Sequence, residues 1–218
     1  MYQSKVAFTF DVVCPWTYVA KKRLDEALKQ VRASDRGQKI NFTLHFEPFR
    51  LSTDLPEAAD ESDWQQGSNT EAQRILNKEM PDLSAPINAG GKANTLHAHR
   101  IIQHFQDPEN GGTEARTTKL VDALYARYFT RGQHPTAVET LVGACVEAGI
   151  DEADARNAVG DKELGLRKVR DRMRLVGSDV DAVPVVRIEG KKRDLTLTGA
   201  KEVGAYIKAL ETVAKDSS

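Results

Sequence analysis

The chain has 218 residues, enough for one domain, or one domain with a large insertion, around a sizeable buried core. Its 40% hydrophobic and 29% charged residues, with 15 Gly and 8 Pro, exclude wholesale disorder and fibrous repeats. Lys and Arg number 31 against 32 Asp and Glu, a formal charge of -1, so no global field draws in nucleic acid or an anionic membrane, and neither is expected as a partner.

The first apolar run, Val6 to Val13, is broken by Thr9 and Asp11 and falls far short of the roughly 18 to 20 residues of a membrane span. The opening residues lack the basic and long apolar regions of a secretory signal. Two cysteines, Cys14 and Cys145, are too few and too far apart for a disulfide framework, so a reducing, cytoplasmic compartment is expected.

In chain order, Val6 to Val13 reads as a buried strand ending at Cys14-Pro15. Residues 18–31 place Val19, Leu24, Ala27, Leu28 and Val31 at helical spacing. Ile40 to Phe46 alternates apolar and polar residues and predicts a second strand. Pro48 to Pro86 reads as a long surface segment with one short helix at Asn69 to Met80. From Asn94 to about Lys168, about four helices follow, with Gly132, Gly149 and Gly160 placed to stop them. Ala182 to Ile188 and Leu195 to Thr198 predict two strands around the polar turn EGKKRD, and Lys201 to Val213 a closing helix. The order β-α-β, helices, β-β-α implies one α/β domain, residues 1–85 and 170–218, interrupted by a helical insertion domain, residues 86–169.

Cys14-Pro15-Trp16-Thr17 joins a strand to a helix, which puts Cys14 at the helix N-cap and Pro15 in the first turn, where its missing N–H costs nothing. Unpaired N–H groups and the positive end of the helix dipole favour an anion there, so a reactive thiolate of lowered pKa is expected. The competing reading is a small buried hydrophobe. Val183-Pro184-Val185 conflicts with a central strand, because proline donates no ladder hydrogen bond. A cis-proline at the strand's first residue resolves the conflict; a trans edge-strand proline is the alternative.

These features resemble the thioredoxin superfamily, specifically its DsbA-like branch and, within that, the FrnE-like group related to kappa-class glutathione transferases and 2-hydroxychromene-2-carboxylate isomerases. The resemblance is carried by FDVVCPWTYVAKKRLDEAL, FEPFRLSTDLP, NTLHAHRII, LYARYFTRGQ and VPVVRIEG, spread over nearly the whole chain in a specific order. It implies a thioredoxin-like fold with a helical insertion. It makes Cys14 the nucleophilic thiol, puts Pro15 and Trp16 at its rim, and makes Val183 and Pro184 the loop that offers backbone groups to a thiol substrate or glutathione.

The motif departs from the family at Thr17, where its oxidoreductases carry the second cysteine that resolves a mixed disulfide. Cys145 lies on an apolar helical face and reads as an inert core residue. Three chemistries follow for a single thiol. Cys14 can form a mixed disulfide that glutathione resolves; the site can activate glutathione sulfur for transfer to, or isomerisation of, a small aromatic or polyketide-like molecule; or the fold can serve as a binding module. In the first two, Thr17 is expected to donate a hydrogen bond to a sulfur anion, stabilising it by about 1 to 2 kcal/mol. Glutathione enters as co-substrate, with no tightly bound cofactor expected.

Where kappa-class relatives hold the γ-glutamyl group with a Ser-Asp pair, this chain has Thr198-Gly199-Ala200-Lys201, so Gly199 and Ala200 are the candidate contacts, without an acid. Asn94 is a candidate groove residue opposite Cys14, as are His99 and Arg100, and helix packing is the competing reading for all three. Thr95 reads as a helix cap. His97 and His99 lie roughly 200 degrees apart on a helix, so no metal is assigned to them. Because kappa-class relatives are dimers, a homodimer is a further expectation.

Overall fold

The computed structural model describes residues 1–35, 37–55, 70–79 and 92–217. Strand β1, Tyr2–Phe10, lies between β2, Ile40–Pro48, and β3, Val185–Ile188, and the sheet order is β2-β1-β3-β4 with β4 at Leu195–Thr198. β1 and β2 run parallel, with Tyr2 opposite Ile40 and Phe10 opposite Pro48, while β3 is antiparallel to both β1 and β4. The parallel ladder recruits the polar residues Tyr2 to Lys5, so β1 begins four residues before its apolar run. It ends at Phe10 because the Asp11 carbonyl turns to accept the Cys14 N–H at 3.1 Å.

Even-numbered residues of both strands meet on one face. Phe8, Phe10 and Phe46 form a ring cluster with centroids 5.5 to 6.2 Å apart. Against it packs α1, Pro15–Ala33, through Leu24, Leu28 and Val31, and α8, Val203–Ser217, packs against α1 and touches β3 and β4. Odd-numbered Lys5, Ala7 and Thr9 line a trough of about 620 Å³ on the other face.

The helices between the sheet halves are α2, Thr70–Glu79; α3, Leu96–Gln106; α4, Glu114–Tyr125, continued by a π turn at Ala126–Thr130; α5, Val138–Glu147; α6, Glu152–Gly160; and α7, Leu166–Gly177. α3 closes the free edge of β2: Gln106 Oε1 accepts the Phe46 N–H at 2.8 Å, and Gln103 Nε2 and Gln106 Nε2 donate to the Phe46 carbonyl at 2.8 and 3.0 Å.

The short helix expected near residues 69–80 is α2, whereas the expected boundary at 85/86 lies outside the described residues. The boundary at 169/170 falls inside α7, which buries Leu166, Val169 and Val176 beneath a strongly basic outer surface. The main apolar core runs continuously from the sheet into α3, α4, α5 and α6, so the two parts share their packing, while Leu166 and Val169 of α7 form a smaller cluster with Leu96. Gly132 and Gly149 end helical segments with φ of 62° and 82°, whereas Gly160 is the last residue of α6 without a positive φ.

Candidate functional site

The sheet register brings the site together. Thr9 faces Val185 across an antiparallel pair, so the exit of β1 and the entry of β3 lie at one end of the sheet. Cys14 follows the first and Pro184 precedes the second. The Val183–Pro184 peptide is cis, the first of the two readings that the apolar context left open, and β3 starts only after it.

Cys14 is the N-cap of α1, with extended backbone (φ -83°, ψ 115°) and Pro15 in the first turn. Its side chain makes no capping hydrogen bond and is 5% exposed. Here the structure corrects the expectation of a lowered pKa: the Cys14 thiol is pushed up from 9.0. Burial is the main cause and the charge of Asp11 adds to it, while the backbone N–H groups of Thr17 and Trp16 oppose both without prevailing. A helix N-terminus favours a thiolate only to the extent that sulfur is not also stripped of water.

Thr17 is fully buried, and its hydroxyl is surrounded. It lies 2.8 Å from the Asp11 carbonyl and 2.7 Å from that of Cys14, and it accepts the Tyr125 hydroxyl at 3.0 Å. Its single proton therefore serves the carbonyls of the turn. What its side chain lends to the sulfur is the weakest of the influences on the thiol, so the sulfur contact expected from the sequence is secondary to fixing the loop. Pro15 is buried and Trp16 half-buried beside Cys14.

On the facing side, Val183 is half-buried and Pro184 buried. The Pro184 carbonyl accepts the Gly199 N–H at 2.8 Å, where Gly199 has φ of 83°, a conformation glycine adopts without strain. Ala200 follows, its carbonyl 3.3 Å from Arg23 Nη1, which reaches Lys201 O at the same distance and pairs with Glu202 at 3.0 Å through Nη2. Gly199 and Ala200 are thus tied both to the cis-proline loop and to α1. Arg23 is buried although it lies outside the apolar positions of α1, and so it was not singled out in the sequence.

The other candidates separate. Asn94 is 2% exposed with its amide committed to the protein: Oδ1 accepts the Leu96 N–H at 3.0 Å and Arg50 Nη1 at 3.3 Å, and Nδ2 donates to the Leu55 carbonyl at 2.9 Å. It fastens the segment after β2 to the start of α3. Thr95 holds the N-cap position of α3 without making a side-chain cap, a role its neighbour Asn94 takes. Arg100 points away from Cys14, donating to the carbonyls of Ala158, Val159 and Leu164 and so holding the end of α6. His99 lies beneath the turn, with Nε2 3.6 Å from Asp11 Oδ1. Cys145 is fully buried in α5 and its thiol is pushed up to about 12 by burial. Asp11 and Tyr125 were the residues missed; the one acid in the apolar run before Cys14 was the available signal for the first.

A cysteine capping the helix after a central strand, with a cis-proline entering the antiparallel neighbour at the same end of the sheet, fits the thioredoxin fold. The chain belongs to the family of DSBA-like thioredoxin domains, whose model matches residues 5–211. A search of curated proteins returned no match. Among solved structures it is similar to a probable DsbA oxidoreductase from Streptomyces coelicolor, at 21% identity and a TM-score of 0.74, over 99% of this chain and 92% of that one. A 2-hydroxychromene-2-carboxylate isomerase matches at 15% identity and a TM-score of 0.59, over 97% and 95% of the two chains. The cytosolic disulfide reductase DsbM from Pseudomonas aeruginosa matches at 15% identity and a TM-score of 0.54, over 97% and 96%; it has also been solved with GSH. Likenesses at such identities establish the fold and leave the chemistry to the site.

Proposed function

We propose that the protein is a monothiol thiol-disulfide oxidoreductase of the FrnE-like type that works through Cys14 with glutathione as co-substrate. The observation that carries the reading is Cys14 at the N-terminus of α1 at the end of the sheet where the cis-Pro184 loop enters β3, while position 17 holds a threonine and Cys145 lies in the core of α5. The Cys14 thiolate attacks the sulfur of a glutathione mixed disulfide, forming a Cys14–glutathione disulfide and releasing the substrate thiolate. A second glutathione thiolate then attacks that bond, giving oxidised glutathione and returning Cys14 as thiolate. The backbone N–H groups of Thr17 and Trp16 favour the attacking anion against the burial that opposes it. That DsbM, a disulfide reductase of the same fold, has been solved with GSH supports the choice of co-substrate. A reducing, cytoplasmic setting suits this cycle, since both cysteines are free.

The test is turnover of a glutathione mixed disulfide by the wild-type protein and by Cys14→Ser. Loss of turnover in a variant with unchanged circular dichroism is expected, and unchanged turnover overturns the reading.

A second reading rests on the raised Cys14 pKa. A neutral S–H at a helix N-terminus can donate a hydrogen bond to the sulfur of bound glutathione, which then acts as the nucleophile in transfer or isomerisation. Conjugation of a model electrophile that survives in Cys14→Ser supports this reading over the first.

A further inference from the structure

The trough on the sheet face opposite α1 lies outside the thiol chemistry. Residues of β1, β3 and β4 form its floor, α7 gives one wall, and the chain from α7 to the cis-proline loop adds Val180, Asp181 and Ala182. Its volume of about 620 Å³ is that of a small-molecule site.

Thr9 stands on this floor. It is 6% exposed, and its hydroxyl has no hydrogen-bond partner among the described residues. A hydroxyl buried to that depth is normally paired, so an unpaired one that faces a cavity points to a group entering from outside. Ala7, Val176 and Val185 supply apolar surface in the same trough, as does Leu175, which is left 56% exposed.

The charges that line the trough are unevenly matched. Every cation is already bound: Lys5 and Arg172 to Glu47, at 2.9 and 2.5 Å, and Arg187 to Asp194 through Nη2 and Nε, at 2.7 and 3.1 Å. Asp179, Asp181 and Glu189, by contrast, form no ion pair among the described residues. Asp179 and Glu189 act on Arg187 only at longer range, weaker than the bonded Asp194. Three cations thus stand against five carboxylates, and the surplus is negative. An anion entering here meets occupied cations and unpaired acids. An ammonium group meets carboxylates and can donate to Thr9 Oγ1, while a hydrocarbon chain attached to it covers the apolar residues.

We infer that the trough is a binding site for a small aliphatic polyamine, with its ammonium groups on Asp179, Asp181 and Glu189 and its methylene chain on Ala7, Leu175, Val176 and Val185. The inference goes beyond the thiol chemistry and does not rest on it. Ala182 and Val185 nevertheless flank the cis Val183–Pro184 peptide, which makes the site a neighbour of that loop.

The experiment is isothermal titration calorimetry of the full-length protein with spermidine in about 0.15 M NaCl, where loose counter-ion attraction is screened beyond about 8 Å. One spermidine per chain is expected, and no binding of suberate, a linear dicarboxylate of similar length. The double variant Asp179→Asn, Glu189→Gln is expected to weaken spermidine binding about tenfold, through the loss of two exposed ion pairs. Thr9→Val, which keeps the shape of the side chain, is expected to weaken it about fivefold through the loss of one hydrogen bond. Glu26→Gln, at an exposed acid of α1, leaves the affinity unchanged. No binding at millimolar spermidine, equal binding of suberate, an affinity unmoved in either trough variant, or the same loss in Glu26→Gln as in the double variant overturns the inference. Spermidine carries neither thiol nor disulfide, so this binding and the glutathione cycle stand or fall separately.

Discussion

The Tyr125 hydroxyl donates to Thr17 Oγ1 at 3.0 Å, joining α4 to the first turn of α1 across 108 positions of sequence. Thr17 stands where a dithiol relative carries its second sulfur, and here that place is filled by a hydroxyl fixed from above and below. Tyr125→Phe removes one buried donor and is expected to cost about 1 kcal/mol. Thr17→Val strands the Tyr125 hydroxyl and releases both carbonyls of the turn, costing about 2 to 3 kcal/mol. Urea unfolding midpoints at unchanged slope check the ranking, and equal costs contradict it.

Glu47 of β2 is 3% exposed and binds Lys5 of β1 at 2.9 Å and Arg172 of α7 at 2.5 Å. Burial pushes its carboxyl up, but the hydrogen bonds from Arg172 and Lys5 prevail and hold it below its ordinary value of 4.5. The stabilisation is then complete above pH 4.5 and is lost as the pH falls below it. Glu47→Gln is expected to cost about 2 kcal/mol at neutral pH and to show a shallower loss of stability below pH 4.5. Parallel acid limbs in the two proteins contradict this account.

Cys145 gives the opposite limb. Its thiol is pushed from 9.0 up to about 12, so between those values the unfolded chain loses a proton that the folded chain keeps. The contribution is intact below pH 9 and declines by about 1.4 kcal/mol per pH unit above it. Relative to Cys145→Ala, the wild type should lose stability with that slope as pH rises, measured by denaturation across the range. A constant difference between the two proteins contradicts it.

Much of the fold is legible in the sequence. Strands show as period-two or apolar runs, and the cis-proline shows as a conflict between Pro184 and its apolar neighbours. α7 was obscured because Leu166, Val169 and Val176 are interleaved with Arg and Lys and straddle the expected domain boundary. The site was half legible. Cys14 and Pro184 carry local signatures, but the depth at which Cys14 is buried, and the Tyr125 hydroxyl that reaches Thr17 from the inserted helices, depend on packing that no local pattern encodes. At Cys14 the N–H groups of the first helical turn favour the anion, and desolvation outweighs them.

Gly199 couples the two loops at the sheet end, through its N–H on the Pro184 carbonyl at 2.8 Å and its φ of 83°. Gly199→Ala is expected to cost about 1 to 2 kcal/mol by forcing a side chain into the left-handed region. On the proposed function it raises KM for a glutathione mixed disulfide more than it lowers kcat, because the facing loop shifts while Cys14 does not. A change confined to kcat contradicts that division of labour.

Whether Cys14 is the one working thiol, with glutathione as its partner, is read from intact mass and peptide mapping after brief exposure to oxidised glutathione near neutral pH. One glutathione per chain is expected, on Cys14 and never on Cys145, removed again by reduced glutathione. A Cys14 that stays unmodified under these conditions, or glutathione found on Cys145, contradicts it.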